Sequence, residues 1–560
     1  MKIARYSFAL LTISIVSGIA FVRAEDPAGY DLIIQDGKIV DGSGQPGFIG
    51  DVAVKGDRIL AVGKLTNMAA KRTIDARGLV VAPGFVDIHS HSDDLLLEDG
   101  HAQSKIRQGV TTEILGEGNS AGPSKGKLPP LTIEARGGKR TWSTLGEYFE
   151  LIDRLGTSVN VASYVGLNNV WESVMGKSHE RPTDAQLSAM AELVDEAMAN
   201  GALGLSSLLM MPPGSLATTD DLARLCGPVK KHGCIFSSHI RSEGLEIFPS
   251  IDQAIAVGEK AGVPVDIIHL KIAEEKFWGR MNEVVARFEA ARSRGVNVQA
   301  NVYPYTRGNN DLSSIIPPWA HEGGTEKMVE RLSDQATRVR LKKEITEGVE
   351  GWYNHYTAIG GDWSRMLISG KGPYEGLTMG KIIEKKSAGK YPKLDPLDIL
   401  FDLLIEQNGS VPTVYAHHEE KDMNLAMIQP WCSIGSDGSA YAIEGPLRRG
   451  NPHPRNFGTF PRVLGRYVRE RKLLPLEEAV RKMTSLNAEK VGLKDRGTLR
   501  NGAFADITVF DPATVIDKSD YTAPFAYNEG IEYVIVNGRL VLEKGTHTGA
   551  MPGRALRHGR

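Results

Sequence analysis

Cysteine is nearly absent from this chain: three residues, Cys226, Cys234 and Cys432, in 560. Three thiols close at most one bridge, so a disulfide framework is excluded. No charge of one sign dominates. Lys and Arg number 66 against 68 Asp and Glu, a formal net charge of −2, without the basic excess that marks nucleic-acid or membrane-surface binding. Beyond the amino terminus no apolar run is long enough to span a bilayer. A Gly-x-Gly-x-x-Gly turn after a first strand is also missing, which leaves a dinucleotide-binding sheet without support. What is present is 41% hydrophobic and 24% charged residues. That balance suits a chain with a large core and excludes disorder, collagen and coiled coil.

Residues 1–24 read as a secretory signal peptide. Lys2 and Arg5 make a positive start, Ser7 to Val22 is nearly all apolar or small, and Val22-Arg23-Ala24 fits a cleavage site. The apolar stretch is shorter than the roughly 20 residues of a spanning helix, so cleavage is expected rather than anchoring, with no stable membrane insertion afterwards. An exported chain with so few cysteines fits a periplasmic or secreted protein better than a disulfide-rich matrix protein.

The rest falls into three zones. Residues 25–82 alternate short apolar runs with Asp36-Gly37, Asp41-Gly42 and Gly56-Asp57, which predicts strands and hairpins. Residues 491–560 echo this, with Ala505–Phe510 and Tyr533–Val536 as strands and Asn537-Gly538 as a turn, so both chain ends are expected to build one small β-sandwich domain. Residues 83–490 repeat a helix–Gly–strand unit of about 30 residues, with a capping box at Thr183 and Gln186. Such repetition predicts parallel strands with crossover helices, an α/β fold of the (β/α)8 TIM-like barrel kind. The charged, Gly-rich stretch 320–400 interrupts the rhythm and is expected to be an insertion or lid. The basic run from Arg338 to Lys343 reads as a solvated helix face.

The residues with chemistry stand at predicted strand ends. Phe85 to Ile88 leads into His89-Ser90-His91, and residues two apart in a strand point to one side, so both imidazoles can reach one metal ion. His239 ends Cys234–Ser238 and His269 ends Val263–Ile268; on successive parallel strands both should project from the C-terminal face, where barrel active sites are built. Asp437, after Ser433-Ile434-Gly435-Ser436, puts a carboxylate at a late strand end, although an Asp beside Gly is also an ordinary turn residue.

This constellation resembles the amidohydrolase superfamily, and within it the N-acyl-D-amino-acid deacylases, or D-aminoacylases. The stretches that carry the likeness include Pro83-Gly84-Phe85-Val86-Asp87, Gln108-Gly109-Val110-Thr111-Thr112, His239-Ile240-Arg241, His269-Leu270-Lys271, Tyr303-Pro304-Tyr305, and His453-Pro454-Arg455 leading to Gly458-Thr459-Phe460-Pro461-Arg462. The resemblance implies a zinc enzyme with one or two Zn2+ ions that acts on a small N-acyl amino acid. His239 and His269 match the ligands of a tightly held ion, and His89, His91 and Asp437 those of a weaker one. Lys271, Arg455 and Tyr303 match the groups around the substrate carboxylate. Asp437 is the implied catalytic acid–base.

The departures are specific. The family's cysteine ligand is missing from Thr111-Thr112-Glu113-Ile114-Leu115-Gly116-Glu117-Gly118-Asn119, and Gly118 falls under it. A carboxylate is a legitimate zinc ligand and can bridge two ions, so Glu117 is the candidate replacement, against the alternative of a plain turn residue. Glu113 is a weaker candidate. Leu167 follows Gly166 where a histidine is usual, which bears on the substrate side chain. His417-His418-Glu419 looks metal-like but is expected near the site without coordinating; His453 is ambiguous. Two rival readings stay open: hydrolysis of cyclic amides or dipeptides, as in dihydroorotase- and hydantoinase-like enzymes, and a non-catalytic exported binding protein.

Overall fold

A computed structural model describes residues 29–66 and 69–559; residues 1–24, expected to be a signal peptide, lie outside the described residues. Both chain ends enter one nine-stranded sheet. Tyr30–Ile39, Phe48–Lys55, Arg58–Gly63, Ala70–Asp75 and Val80–Pro83 come from the front, and Ile507–Phe510, Ile531–Val536, Arg539–Glu543 and Thr546–His547 from the back. The two halves meet at Val80–Pro83, which pairs parallel with Tyr30–Ile39 and antiparallel with Ile507–Phe510. Ile34, Val52, Val81, Ile507 and Ile535 fill a core shared by both ends. Two of the expected turns are hairpins: Gly56-Asp57 joins Phe48–Lys55 to Arg58–Gly63, and Asn537-Gly538, with φ of 46° and 75°, turns Ile531–Val536 into Arg539–Glu543. Positive φ at both turn residues matches the twist of the flanking strands. Asp36-Gly37 is no hairpin. Tyr30–Ile39 runs straight through it, with a shift of register between Ile34 and Gly37. Glycine is required there by close approach, since a Cβ would sit 2.5 Å from Val81 Cγ2. The tail leaves this sheet: the Val161 amide donates to the Arg554 carbonyl and the Leu556 amide to that of Val161.

Eight strands of the middle zone make the barrel: β1 (Phe85–Asp87), β2 (Val110–Leu115), β3 (Asn160–Ser163, continued by Val165–Gly166), β4 (Gly204–Leu208), β5 (Ile235–His239), β6 (Val265–Ile267), β7 (Val298–Val302) and β8 (Cys432–Ile434). Every neighbouring pair among them that is hydrogen-bonded as strands is parallel. The ring closes just past β8 and β1, where the Asp437 amide donates to the His89 carbonyl at 2.8 Å and the His91 amide to the Gly438 carbonyl at 3.0 Å. Lower down, Asn487 Nδ2 donates to both the Val86 and Ile434 carbonyls and so spans the same seam. The predicted capping box at Thr183 and Gln186 opens helix Asp184–Ala199.

The break in the rhythm is wider than expected. The inserted lobe begins at Gly308–Asp311 and ends at Pro412–Tyr415, which pair antiparallel; Met366–Ile368 pairs antiparallel with the other side of Pro412–Tyr415. It has its own core, with Leu312, Ile345, Leu400, Phe401 and Tyr415 buried together. Arg338 is not on a solvated face: it is buried, donates to the Leu332 carbonyl, and pairs with Asp398 and Asp402.

Leu167, the first residue of the helix Leu167–Met175 after β3, is fully buried in the main core and does not line the cavity at the barrel mouth. Leu167→Ala is therefore expected to lower stability by about 2–5 kcal/mol and to leave the order of substrate preference unchanged. Urea denaturation together with a substrate panel checks this; a reordered panel at unchanged stability contradicts the placement.

Candidate active site

The C-terminal ends of β1, β2, β5, β6 and β8 bring the predicted residues together. His239 is the last residue of β5; His89, His91, Glu117, His269 and Asp437 follow their strands within a few residues. Two of them are held in the left-handed region, His269 at φ 38° and Asp437 at φ 51°. Such a backbone costs about 1–3 kcal/mol for a non-glycine residue and needs fixed partners. The His269 amide donates to Asn301 Oδ1 at 3.0 Å, and the Asp437 amide takes part in the barrel closure.

Six side chains form two donor sets that share one member. His89, His91, Glu117 and Asp437 make one; Glu117, His239 and His269 make the other. Glu117 Oε2 faces the first set, in contact with His89 Nε2 and 3.1 Å from His91 Nε2. Its Oε1 faces the second, 3.8 Å from His269 Nε2. Asp437 Oδ1 lies 3.0 Å from His91 Nε2 and 3.6 Å from His89 Nε2. Four imidazole nitrogens around two carboxylates are a hard-to-borderline donor set of the kind zinc takes, and a carboxylate with one oxygen toward each set is placed to bridge two ions. The His239 ring suits this use: its Nδ1 lies 3.1 Å from the Ile240 carbonyl, so Nδ1 carries the proton and Nε2 presents a lone pair. No cysteine belongs to either set. Cys226 lies in helix Thr219–Lys231, and Cys234 and Cys432 stand at the far ends of β5 and β8.

The electrostatics follow from burial and from these contacts. Burial alone raises the Glu117 carboxyl, but the His89 and His91 imidazoles outweigh it and hold it well below the usual carboxylate range. For Asp437 burial is likewise outweighed, first by the Arg455 guanidinium and then by His89. Desolvation opposes a charge on His91, although its side chain is 40% exposed, and the bonds to Asp437 and Glu117 raise its pKa to about 10. Burial, then Lys271, lowers His269 to about 4.

The three expected substrate-binding residues separate. Arg455 lines the cavity, a space of about 770 Å³ over the donor sets. Its Nη1 bonds Asp437 Oδ2 at 2.6 Å, while its buried Nε has no partner. Lys271 and Tyr303 do not line that cavity. The Lys271 ammonium is taken by Glu243 Oε1 and lies 2.8 Å from His269 Nδ1. The Tyr303 ring packs under the Arg455 guanidinium at 4.9 Å, and its hydroxyl lies 3.1 Å from His418 Nε2. Glu113 sits below the site, accepting from Ser90 and Ser92. His417 and His418 touch each other through Nδ1 atoms 3.0 Å apart and coordinate nothing with the donor sets. His453 Nδ1 accepts from the Arg455 amide and fixes that residue's backbone.

Two groups had no signal in the sequence. Glu243, in the loop after β5, is buried; burial raises its carboxyl, but Lys271 and then His269 outweigh this and hold it well below the carboxylate range. Lys105, fully buried, bonds Asp87 Oδ2, Ser90 Oγ, Ser436 Oγ and the Gly438 carbonyl, and so ties β1 to the segment after β8 under the ligands.

Comparison with known proteins agrees with the fold. The model of the amidohydrolase family matches residues 72–273 and 433–542, on either side of the inserted lobe. The D-aminoacylase of Alcaligenes xylosoxydans xylosoxydans is 33% identical over 95% of this chain and 98% of its own. The crystal structure of the N-acyl-D-glutamate deacylase of Bordetella bronchiseptica, complexed with zinc and a phosphonate mimic of the tetrahedral intermediate, is 29% identical. It superposes with a TM-score of 0.78, covering 94% of this chain and 100% of that one. A D-aminoacylase structure concerned with its binuclear metal centre is 32% identical with a TM-score of 0.77, at the same coverage.

Because Glu117 belongs to both donor sets and His91 to one, their loss should differ. Changing a group one layer behind a ligand already weakens metal affinity 10–100-fold, so Glu117→Ala is expected to weaken zinc binding at both positions by at least about 10²-fold. His91→Ala should retain the ion held through His239 and His269. Zinc titration of the metal-free variants checks this; equal losses in the two would refute the sharing.

Proposed function

The chain belongs to the amidohydrolase family, and on that premise we propose that it is a zinc-dependent hydrolase of N-acyl-D-amino acids, releasing a carboxylate and a free D-amino acid. The observation that carries this reading is the Glu117 carboxylate between two imidazole sets at the barrel mouth, with Arg455 beside Asp437. Support for the D configuration comes from the relatives, which act on N-acyl-D-aspartate and N-acyl-D-glutamate as well.

His239, His269 and Glu117 would hold one ion, and His89, His91, Asp437 and Glu117 would hold the other. Zinc bound there would supply Lewis-acid polarisation of the scissile carbonyl and a water whose pKa falls from near 16 to about 7. Asp437 is ionised at neutral pH because the Arg455 guanidinium lies against it, so it serves as the base that takes the proton of the attacking water. It then returns that proton to the leaving amine nitrogen. Arg455 has donors to spare beyond its bond to Asp437 and receives the substrate carboxylate, whose planar oxygens match the guanidinium fork. Tyr303, stacked beneath Arg455, keeps that fork in place.

Hydrolysis of N-acetyl-D-amino acids, with no turnover of the L forms or of hydantoins, and its loss on chelation with recovery on added zinc, are the expected results. Asp437→Asn should reduce kcat by roughly 10²–10⁴-fold, and Arg455→Ala should both raise KM and lower kcat, since it removes the carboxylate's fork and the partner of Asp437. Turnover of hydantoins in place of the linear amides would replace this reading with the cyclic-amide one.

Export belongs to the same proposal. Its support is the pattern of residues 1–24 and three cysteines that are all free and buried. Cell fractionation with amino-terminal sequencing should find the protein outside the cytoplasm and starting at Glu25; a cytoplasmic protein retaining Met1 would refute it.

A further inference from the structure

His269 can ligate through Nε2 only if its proton resides on Nδ1. Two groups compete over that nitrogen. Lys271 Nζ lies 2.8 Å away and has only protons to give, which would make Nδ1 an acceptor and move the ring proton to Nε2, facing Glu117. Glu243 Oε1 lies 3.1 Å away and has only lone pairs, which fixes the proton on Nδ1. The same Oε1 also binds the Lys271 ammonium. One carboxylate oxygen therefore lies within reach of both donors, and its charge offsets that of the ammonium, which stays 2.8 Å from the imidazole nitrogen. Glu243 is buried at 3% exposure, and Lys271 at 8%, so water does not substitute for either partner. The Lys271 ammonium also contacts the His269 carbonyl at 3.1 Å, which keeps it in place whether or not Glu243 is charged.

We propose that Glu243 is a positioning residue that sets the ligating tautomer of His269 by accepting from its Nδ1 while neutralising Lys271. The inference rests on the reading of His269 as a zinc ligand and is independent of which amide is cleaved. A carboxylate behind a ligating histidine is worth 10–100-fold in metal affinity. Here the loss should be unusual in depending on a second residue. With Glu243 uncharged, the Lys271 ammonium becomes the harmful group, and its removal should restore binding.

The experiment measures zinc affinity of metal-free protein by chelator competition for wild type, Glu243→Gln, and Glu243→Gln combined with Lys271→Met, with thermal melting of each metal-free form. Glutamine keeps the size and the accepting oxygen of residue 243. The expected result is a 10–100-fold weaker affinity in the single variant at near-unchanged melting, and recovery to within a few-fold of wild type in the double variant. Wild-type affinity in the single variant, or a double variant no tighter than the single, overturns the proposal. Should the single variant fail to fold, the double variant decides: binding within tenfold of wild type supports the inference and lost binding refutes it. A wild-type protein that binds zinc yet hydrolyses no N-acyl-D-amino acid would remove the proposed function and leave this test standing.

Discussion

The hydrogen bonds that close the barrel run through the site itself. The Asp437 amide donates to the His89 carbonyl and the His91 amide to the Gly438 carbonyl, so the last closure of the ring and the spacing of three donor side chains are one geometric event. Lys105 stands directly beneath, with four bonds shared between β1 and the segment after β8. A buried ammonium is tolerated only when so fully paired. Here its pairing spans the seam, which makes the fold's stability and the metal geometry depend on the same few atoms.

Above that seam, charge is arranged in facing pairs. Glu117 answers His89, His91 and His269; Asp437 answers His91 and Arg455; Glu243 answers His269 and Lys271. In a low-dielectric pocket each such pair fixes a protonation state as well as a position. The cavity is completed from outside the barrel. Asn309, Asn310 and Lys371 of the inserted lobe line its rim, and His418, three residues past that lobe, supports Tyr303 from behind. The lobe lies between the two segments matched by the family model. The wall contributed by the lobe thus stands outside the segments that the family model matches, while the ligand-bearing strand ends at the floor lie within them, as expected where loops vary over a constant barrel.

What was legible in the residues was whatever depends on neighbours in the chain. His89 and His91 declared themselves because two residues of spacing after an apolar run decides where both side chains point. His239 and His269 followed from the repeated helix–Gly–strand unit, and Asn537-Gly538 from the backbone freedom its turn requires. Glu117 was read from the absence of a cysteine where one was expected. Where local pattern had two meanings, packing chose between them. Asp36-Gly37 became a bulge because Val80–Pro83 passes too close for a side chain. Leu167 became core because the helix it begins turns it inward.

The sequence alone therefore determined the fold class, the β-domain made by both chain ends and the strand-end histidines, since periodicity and turn chemistry are short-range properties of the backbone; Glu117 and Asp437 joined the donor list through the family resemblance. The tertiary structure alone decided that Glu117 faces both donor sets, that Lys271 is held by Glu243 behind His269, and that the inserted lobe spans 308–415. Those facts depend on which side chains meet across 28 to 346 residues of chain. Such meetings are fixed by the closing of the barrel and by the need of every buried charge for a partner, and no local spacing encodes them.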